Sequence, residues 1–260
     1  MNFETKDTTL KTSHSADTNN EINKHIDSDI LKLYDVYSYR HAAAILKTSF
    51  PNELEDIENA LKNFNVTQKD IGIPGGNESI IPKKISKKLR PKAWFETRIQ
   101  GDLIVKISEK KYKLLNQDQE TMNKRPNVTL ANYIDGHKID YVKNRVAFEL
   151  EWNSKDQTFD RDLYAFRMFH ECGIISAAVI CTRSEKLNPL FKLIPLSDKN
   201  GKMVRKKDGS TKPCKQKYCA STTWIGKLLY RLNSGIHGSC PVLVFAIRPE
   251  VVKDITIVKE

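Results

Sequence analysis

Three acidic residues in the stretch KIDYVKNRVAFELE (residues 138–151) have spacing that suits a metal site. Asp140 precedes a short apolar strand pattern that carries Glu149 and Glu151. Side chains on a strand alternate between faces, so the two glutamates point the same way. Such carboxylate oxygens are the ligands that Mg²⁺ prefers. The pattern predicts that Asp140, Glu149 and the backbone carbonyl of Leu150 bind Mg²⁺. Glu151 would orient or deprotonate a water molecule, or help to bind a second ion.

Hydrolysis of a phosphodiester is the chemistry that such a site would serve. It needs an activated water and a stabilised anionic transition state, and one or two Mg²⁺ ions can provide both. The simpler alternative is that two glutamates on one strand face are only its solvated side. Three acids placed so closely would repel each other without a cation, and the strand lies between apolar elements in the sequence. Both points favour the metal site.

The charge of the chain indicates a polyanionic partner. Its net charge is +11, and its isoelectric point is near 9.3. Residues 83–92 hold six cations and no acid, and residues 196–217 hold eight cations against Asp198 and Asp208. Such patches release counterions from a phosphate backbone, which drives binding that does not depend on base sequence. We therefore expect a nucleic-acid partner.

The basic segment 196–217 permits two interpretations. It can be a flexible, solvated hairpin, with a turn at Asp208-Gly209. It can also clamp DNA through its cations, and this is the interpretation that we favour. The candidate DNA-binding side chains in it are Lys202, Arg205, Lys206 and Lys207.

The order of predicted elements indicates an α/β fold with a mixed central sheet flanked by helices. The acids lie at the end of that sheet. Helices are predicted over residues 52–64, 157–170 and 223–232, and strands over 101–107, 173–181 and 241–247. Other predictions are a helical or strand–helix pattern over 30–46, a loop over 72–83, a helix end or turn at 94–98 and a polar connection over 110–127.

The remaining features bound the class of protein. Residues 1–27 are predicted to be a disordered polar lead, and 28–260 a single domain with a basic insertion at about 196–217. No signal peptide and no bilayer-length apolar run is seen, which predicts a cytoplasmic protein without a membrane partner. Gly75-Gly76 lacks the pattern of a phosphate-binding loop, so no nucleotide cofactor is expected.

Four thiol and imidazole side chains allow one further metal hypothesis. Cys214, Cys219, His237 and Cys240 supply enough ligands for zinc. Their spacing fits no common zinc finger, and the five scattered cysteines of the chain are typical of free thiols. Unrelated thiols are therefore the favoured interpretation.

The central stretch IDYVKNRVAFELEW (139–152) resembles the BglII/BstYI family of type II restriction endonucleases, within the PD-(D/E)xK nuclease fold. Supporting matches are YSYRHAAAIL (37–46), LRPKAWFETR (89–98) and TTWIGKLLYRLNSGIHGSCPVLVFAI (222–247). The resemblance covers about residues 34–248, with gaps. It implies an Mg²⁺-dependent homodimer that cleaves duplex DNA at a short palindrome, often with a GATC centre.

The resemblance also implies roles for individual residues. Asp140 and Glu149 fall on the family's metal-binding acids, and Glu151 on its third catalytic position. Close relatives carry glutamine at that third position, whereas the related BamHI-type site also ends in Glu-x-Glu. A supporting polar residue from the N-terminal half corresponds to Glu96 or Thr97. The positions that approach base edges correspond to Asn153, Ser154 and Lys155.

We therefore predict a prokaryotic type II restriction endonuclease. Two alternatives stay open from the sequence. One is another metal-dependent DNA nuclease, such as a repair enzyme, on the same scaffold. The other is a basic DNA-binding protein without catalytic activity.

Overall fold

The computed structural model describes residues 15–74, 79–111, 121–218 and 221–255. Its α-helices are α1 (Asn19–Asn23), α2 (Ser28–Leu33), α3 (Ala42–Ser49), α4 (Pro51–Lys62), α5 (Gln68–Gly72), α6 (Ile80–Leu89), α7 (Thr158–Glu171), α8 (Asn188–Leu193) and α9 (Ile225–Asn233). Its strands are β1 (Tyr34–Tyr39), β2 (Phe95–Arg98), β3 (Gly101–Val105), β4 (Ser108–Lys111), β5 (Thr121–Lys124), β6 (Val128–Ile134), β7 (Lys138–Lys143), β8 (Val146–Glu151), β9 (Ala177–Arg183) and β10 (Val242–Ile247).

The described residues group into two compact units. The first contains the residues up to Glu96 and those from Ile139 onward, and the second is Thr97–Lys138. The sequence predicted a single domain over residues 28–260, whereas residues 97–138 form their own set of contacts.

The first unit is built on a mixed sheet with the strand order β1-β10-β9-β8-β7-β2. Strands β8, β9 and β10 are parallel, and β1 and β7 run antiparallel to their neighbours β10 and β8. The predicted α/β class with a mixed central sheet is confirmed. The acid-bearing strand β8 is central, because β7 and β9 pair with its two edges.

The two faces of the sheet pack against different helices. Val146, Phe148 and Leu150 of β8 point into a large apolar core that also holds buried residues of α2, α3, α4 and α6. The opposite face of β8 contacts α7, which in turn contacts α9. The predicted apolar stripe of α7 is confirmed, since Phe159, Leu163, Phe166 and Phe169 are all buried. Every residue of β8 is consequently buried, including both glutamates.

The segment that precedes the sheet is more regular than predicted. The predicted loop over 72–83 ends early, because α6 begins at Ile80 and continues through most of the basic segment 83–92. Ile81, Ile85 and Leu89 repeat every four residues and are buried, which anchors the helix to the core. Pro82 lies in the first turn, where its missing N–H is tolerated. The lysines therefore lie on a helix.

The prediction of a helix end at 94–98 is wrong. Ala93 takes a left-handed conformation at φ 63°, which ends the preceding 3₁₀-helix and starts β2 at Phe95. Trp94 is buried and its indole N–H donates to Asp56 Oδ2 at 3.2 Å. The left-handed conformation of Ala93, rather than side-chain periodicity, therefore determines that a strand follows.

The N-terminal segment also differs from its prediction in the described part. Thr18 and Glu21 form a capping box at the start of α1, and Ile22 and Ile26 are buried in the core. The sequence predicted a disordered lead through residue 27, but capping and two apolar anchors hold a helix here. Residues 1–14 lie outside the described residues.

The segment 196–217 is an ordered hairpin. Leu196 N donates to Lys212 O at 2.7 Å, Val204 N to Leu196 O at 2.8 Å, and Lys212 N to Val204 O at 2.9 Å. The predicted turn is confirmed, with Gly209 at φ 80° and its N–H bonded to Lys206 O at 3.0 Å. The last residues of the segment belong to a 3₁₀-helix, Cys214–Tyr218.

The second unit contains two small antiparallel pairs, β3 with β6 and β4 with β5. The predicted strand over 101–107 is confirmed as β3. The predicted polar connection over 110–127 contains β5 and the end of β4, and its residues 112–120 lie outside the described residues. Gly136 adopts φ +56° beside Arg98, whose side chain leaves no room for a Cβ there.

Candidate active site

A cavity of about 580 Å³ at the end of β8 brings most of the predicted active-site residues together. We call it the acidic cavity. Its walls come from α6, β2, β7, β8, the segment after β8 and the 3₁₀-helix Cys214–Tyr218. Of the predicted residues, its lining includes Glu96, Asp140, Leu150, Glu151, Asn153 and Ser154.

Glu149 is not part of the described lining of the acidic cavity. It is buried beside Leu150 on β8, with 4% of its surface exposed. Its Oε1 accepts a hydrogen bond from the backbone N–H of Asp140 at 2.8 Å, which ties β8 to β7 at the site. Burial raises the pKa of Glu149 well above its usual range, and repulsion from Asp140, Asp162 and Glu151 raises it further. The three predicted acids therefore interact electrostatically.

Glu151 lies two residues along the same strand face and is also buried. Its Oε2 has no hydrogen-bond partner among the described residues. Burial, followed by the charge of Asp162, raises the pKa of Glu151 to about 8, against the opposing effects of Ser154 and Arg161. A buried carboxyl oxygen without a partner is costly for the fold, which is typical of a group kept for function.

Asp162 is a fourth acid of the site that the sequence prediction missed. It lies on α7 with only 2% of its surface exposed, and Arg161 Nη2 pairs with its Oδ1 at 3.1 Å. Burial raises its pKa to about 6, although Arg161 opposes the shift. The sequence could have indicated that Asp162 is buried, because it is three residues after Phe159 and four before Phe166. This spacing places it on the apolar face of α7.

Basic side chains balance the acids in the wall of the acidic cavity. Arg90 donates to Trp94 O at 3.1 Å and stacks its guanidinium over the Tyr141 ring at 4.4 Å. Lys217 donates to the carbonyls of Ile71 and Ile73, and burial lowers its pKa to about 8. The cavity therefore joins carboxylates with cations that suit a phosphate group.

The chemistry of the donor set fits a divalent cation. The oxygens are hard ligands, they repel one another, and Glu151 Oε2 is without a partner. The side chains are not arranged as a complete coordination shell, since no group of three or more Asp, Glu, His or Cys in the described part of the chain is placed to hold a metal.

The sequence profile of the restriction endonuclease BglII/BglIII family matches residues 34–247. The chain belongs to this family. The predicted family resemblance is thereby confirmed, and the protein is a restriction endonuclease, a hydrolase that binds and cleaves double-stranded DNA. Among curated proteins, none matches the chain significantly. Within the part of the chain that the structure describes, no helix has the length and apolar character to cross a membrane.

Other predicted residues of this endonuclease lie away from the acidic cavity lining. Thr97 is the first residue of the second unit. Lys155 is exposed and forms an isolated β-bridge with Thr222. Lys202 lies in the Asp198 turn of the hairpin, and further along the hairpin come Arg205, Lys206 and Lys207, all exposed.

The hypothetical zinc ligands are placed as follows. Cys214 Sγ contacts Phe191 O at 3.5 Å, and Cys240 Sγ contacts Pro241 O at 3.6 Å. His237 is buried with its ring 5.9 Å from that of Tyr39. Cys219 lies outside the described residues, and the favoured interpretation as unrelated thiols stays a prediction.

Proposed function

We propose that this endonuclease is a type II enzyme that hydrolyses DNA phosphodiesters with Mg²⁺. The observation that carries the proposal is the gathering of Asp140, Glu149 and Glu151 at the end of a central strand. Members of the chain's family cleave DNA. Two buried glutamates beside the exposed carboxylate of Asp140 form a site at which such cleavage is chemically reasonable.

Each acid has a distinct role in this proposal. Asp140 and Glu149, with the Leu150 carbonyl, would hold one or two Mg²⁺ ions. A bound Mg²⁺ supplies Lewis-acid stabilisation of the phosphate and lowers the pKa of the attacking water. Glu151 orients that water or accepts its proton, and Glu96 and Thr97 are the candidate supporting residues.

Asp162 acts as a positioning residue in this scheme. The burial of Glu151 and then the negative charge of Asp162 raise the pKa of Glu151. Arg161 holds Asp162 in place from the solvent side. Ser154, next to the strand end, hydrogen-bonds Glu151 and opposes its protonation.

The remaining functional elements concern the DNA. Arg90 and Lys217 would attract the scissile phosphate into the acidic cavity. Asn153, Ser154 and Lys155 are the candidates for contacts near base edges, and the basic hairpin for the phosphate backbone. A homodimer would match a palindromic target, for which a GATC centre is the candidate. The cytoplasmic location stays a prediction.

Digestion of a sequenced phage genome tests this proposal directly. The purified protein is incubated with methylated and unmethylated DNA in Mg²⁺, in Ca²⁺ and in EDTA, and the product ends are sequenced. Discrete ends at one short palindrome, with Mg²⁺ and unmethylated DNA only, are the expected result. Dispersed or methylation-directed ends would indicate a different nuclease. Binding without cutting under any divalent ion would indicate a non-catalytic DNA-binding protein.

A further inference from the structure

A second cavity in the first unit, of about 1030 Å³, combines exposed cations with buried aromatic rings. We call it the basic cavity. It lies between the hairpin 196–217, α8 and the residue before α9. The described residues of its lining include seven lysine or arginine side chains and no carboxylate. The volume lies at the upper end of the range of about 300–1,000 Å³ typical of small-molecule sites.

The aromatic part of the lining is preorganised. The Phe191 and Tyr218 rings are stacked, with centroids 4.1 Å apart and planes at 15°. Arg183 is buried beside both rings, with its guanidinium carbon 4.9 Å from the Tyr218 centroid. Its Nε donates to Trp152 O at 2.6 Å, so its position is fixed by the sheet.

Trp224 adds a half-buried indole to the same cavity. It lies against Gly226 in the first turn of α9, where a Cβ would come within 2.3 Å of the indole ring. The absence of a side chain at Gly226 therefore lets the indole occupy its position. An aromatic surface that is partly open to solvent is suited to stacking.

The five lysines of the lining remain available for a ligand, whereas Arg183 and Arg205 donate hydrogen bonds within the protein. No hydrogen bond or ion pair is formed by the side chains of Lys192, Lys206, Lys207, Lys212 or Lys215 with other described residues. Lysines on exposed stems bind phosphate as mobile point charges. Aromatic rings surrounded by such cations match the chemistry of a nucleotide, which has a flat base and an anionic phosphate.

The basic cavity is also next to the acidic cavity. Lys217 lines the acidic cavity and Tyr218, the following residue, lines the basic one. Trp152, in the wall of the acidic cavity, donates its indole N–H to Tyr218 OH at 3.2 Å. DNA held at the acids would therefore pass close to the aromatic rings.

We propose that the basic cavity binds one unstacked nucleotide, with its base against the aromatic rings and its phosphates among the lysines. The nucleotide comes from DNA bound at the neighbouring acidic cavity or from solution. The DNA source deepens the proposed endonuclease function and rests on it. Base-aromatic stacking is sequence-tolerant and contributes enough for about a tenfold effect on affinity.

Photocrosslinking in EDTA tests the site without cleavage. A short duplex that carries one unpaired 5-iodouracil is irradiated with the full-length protein, and adducts are mapped by mass spectrometry. Adducts at Trp224 or Tyr218 are expected. Adducts exclusively elsewhere, or none at Trp224 or Tyr218 from free 5-iodo-dUMP and none from the unpaired-base duplex above the level of a fully paired duplex, would overturn the proposal. Adducts from free 5-iodo-dUMP alone would identify a nucleotide from solution as the ligand.

Variants give an independent readout by fluorescence anisotropy. Trp224→Ala, and Gly226→Ala through displacement of the indole, should weaken binding of the unpaired-base duplex about tenfold more than that of the paired duplex. Trp224→Phe should retain the preference. Tyr230→Ala, 73% exposed on the same helix, is the matched control. Equal losses for both duplexes in folded Trp224→Ala would refute base stacking.

Cutting of fully paired DNA in Mg²⁺ is measured in parallel for Trp224→Ala. Cutting by the wild type in Mg²⁺ without a crosslink in EDTA would mean that only the nucleotide proposal for the basic cavity fails. A crosslink in EDTA without cutting in Mg²⁺ would mean that only the endonuclease proposal fails. The two failures are therefore distinguishable.

Discussion

The acidic and basic cavities of the first unit are built in opposite ways. The acidic cavity is formed mainly by strands and helices. Glu151 in its lining and the neighbouring Glu149 and Asp162 are nearly excluded from water, whereas Asp140 is exposed. The basic cavity is formed largely by a hairpin and 3₁₀-helix. Most of its cations are exposed, whereas Arg183 and the rings of Phe191 and Tyr218 are buried.

The difference reflects what each site has to do. Chemistry on a phosphodiester requires groups held in fixed positions at low dielectric, where their interactions are strong. Attraction of a polyanion requires only charge density at the surface, which acts over a Debye length and tolerates mobile side chains. Changes in the acidic cavity should therefore alter catalysis and stability, and changes in the basic hairpin should alter binding.

The largest expected effect is on cleavage. Glu149→Ala or Asp140→Ala should lower the cleavage rate by about 10³-fold or more, because a positioned charged group at the reacting centre is removed. DNA binding in Ca²⁺ should stay within a few-fold of the wild type. Glu171→Ala, which removes an exposed acid paired with Arg167 at 2.8 Å, is the control. Full cleavage by either active-site variant would discredit the assignment.

The second effect concerns pH and stability without metal. Burial raises the pKa of Asp162 to about 6 and of Glu151 to about 8. Both pKa values are higher in the folded protein than in the unfolded chain. The two carboxyl groups therefore contribute their full stabilisation of the fold below about pH 4, and this contribution is lost as the pH rises through about 8. Urea unfolding in EDTA should show a loss on the order of a few kcal/mol across this window.

Two comparisons isolate the source of that loss. Asp162→Asn should flatten the dependence of the free energy of unfolding on pH, since it removes one titrating group and its repulsion of Glu151. Saturating Mg²⁺ should raise stability more at high pH than at low pH, because it binds the ionised acids. A pH profile in EDTA that is identical for Asp162→Asn and the wild type would contradict the proposed coupling.

The third effect concerns DNA affinity. The triple variant Arg205→Ala, Lys206→Ala, Lys207→Ala should weaken DNA binding and lower the slope of log K against log salt by about 0.9 for each phosphate that is no longer neutralised. The Mg²⁺-dependent cleavage rate of bound DNA should change little. Lys199→Ala, in the exposed turn outside the cavity lining, serves as the control. An unchanged slope would show that the hairpin does not contact DNA.

The smallest effect separates hairpin geometry from overall stability. Gly209→Ala places a Cβ at φ 80°, which should cost about 1 kcal/mol of folding free energy. Gly173→Ala, at φ 72° after α7 and equally free of close neighbours, should cost about the same. Only Gly209→Ala should also weaken DNA binding, about twofold. Equal DNA affinity of the two variants would mean that the turn has no part in binding.

Much of the fold was predictable from periodicity. The apolar stripe of α7, the helix α4 and the buried strand β10 are long or strongly patterned segments, and their predictions are confirmed. The errors fall where local signals conflict with tertiary contacts. Glycine and proline suggested a loop over 72–83, but three buried apolar residues anchor α6 from Ile80 onward.

The active-site prediction depended in the same way on local patterns. Alternation along β8 placed Glu149 and Glu151 on one face, and the structure brings Asp140 to them through a β7–β8 pair. Asp162 was missed because it reaches the site from a helix, through a contact that no short spacing encodes. The roles assigned to these residues are proposals that the experiments above test.

The sequence by itself determined the strand alternation that aligns two glutamates, the excess of positive charge and the turn at Asp208-Gly209, because each depends on neighbouring residues or composition. Only the tertiary structure decided that α7 covers the acidic face of β8, and that the hairpin encloses a cavity beside α8. Burial and the approach of distant charges arise when remote segments pack together. Burial and neighbouring charges raise the pKa values of the acids. The same packing of remote segments brings basic side chains and aromatic rings together in one cavity.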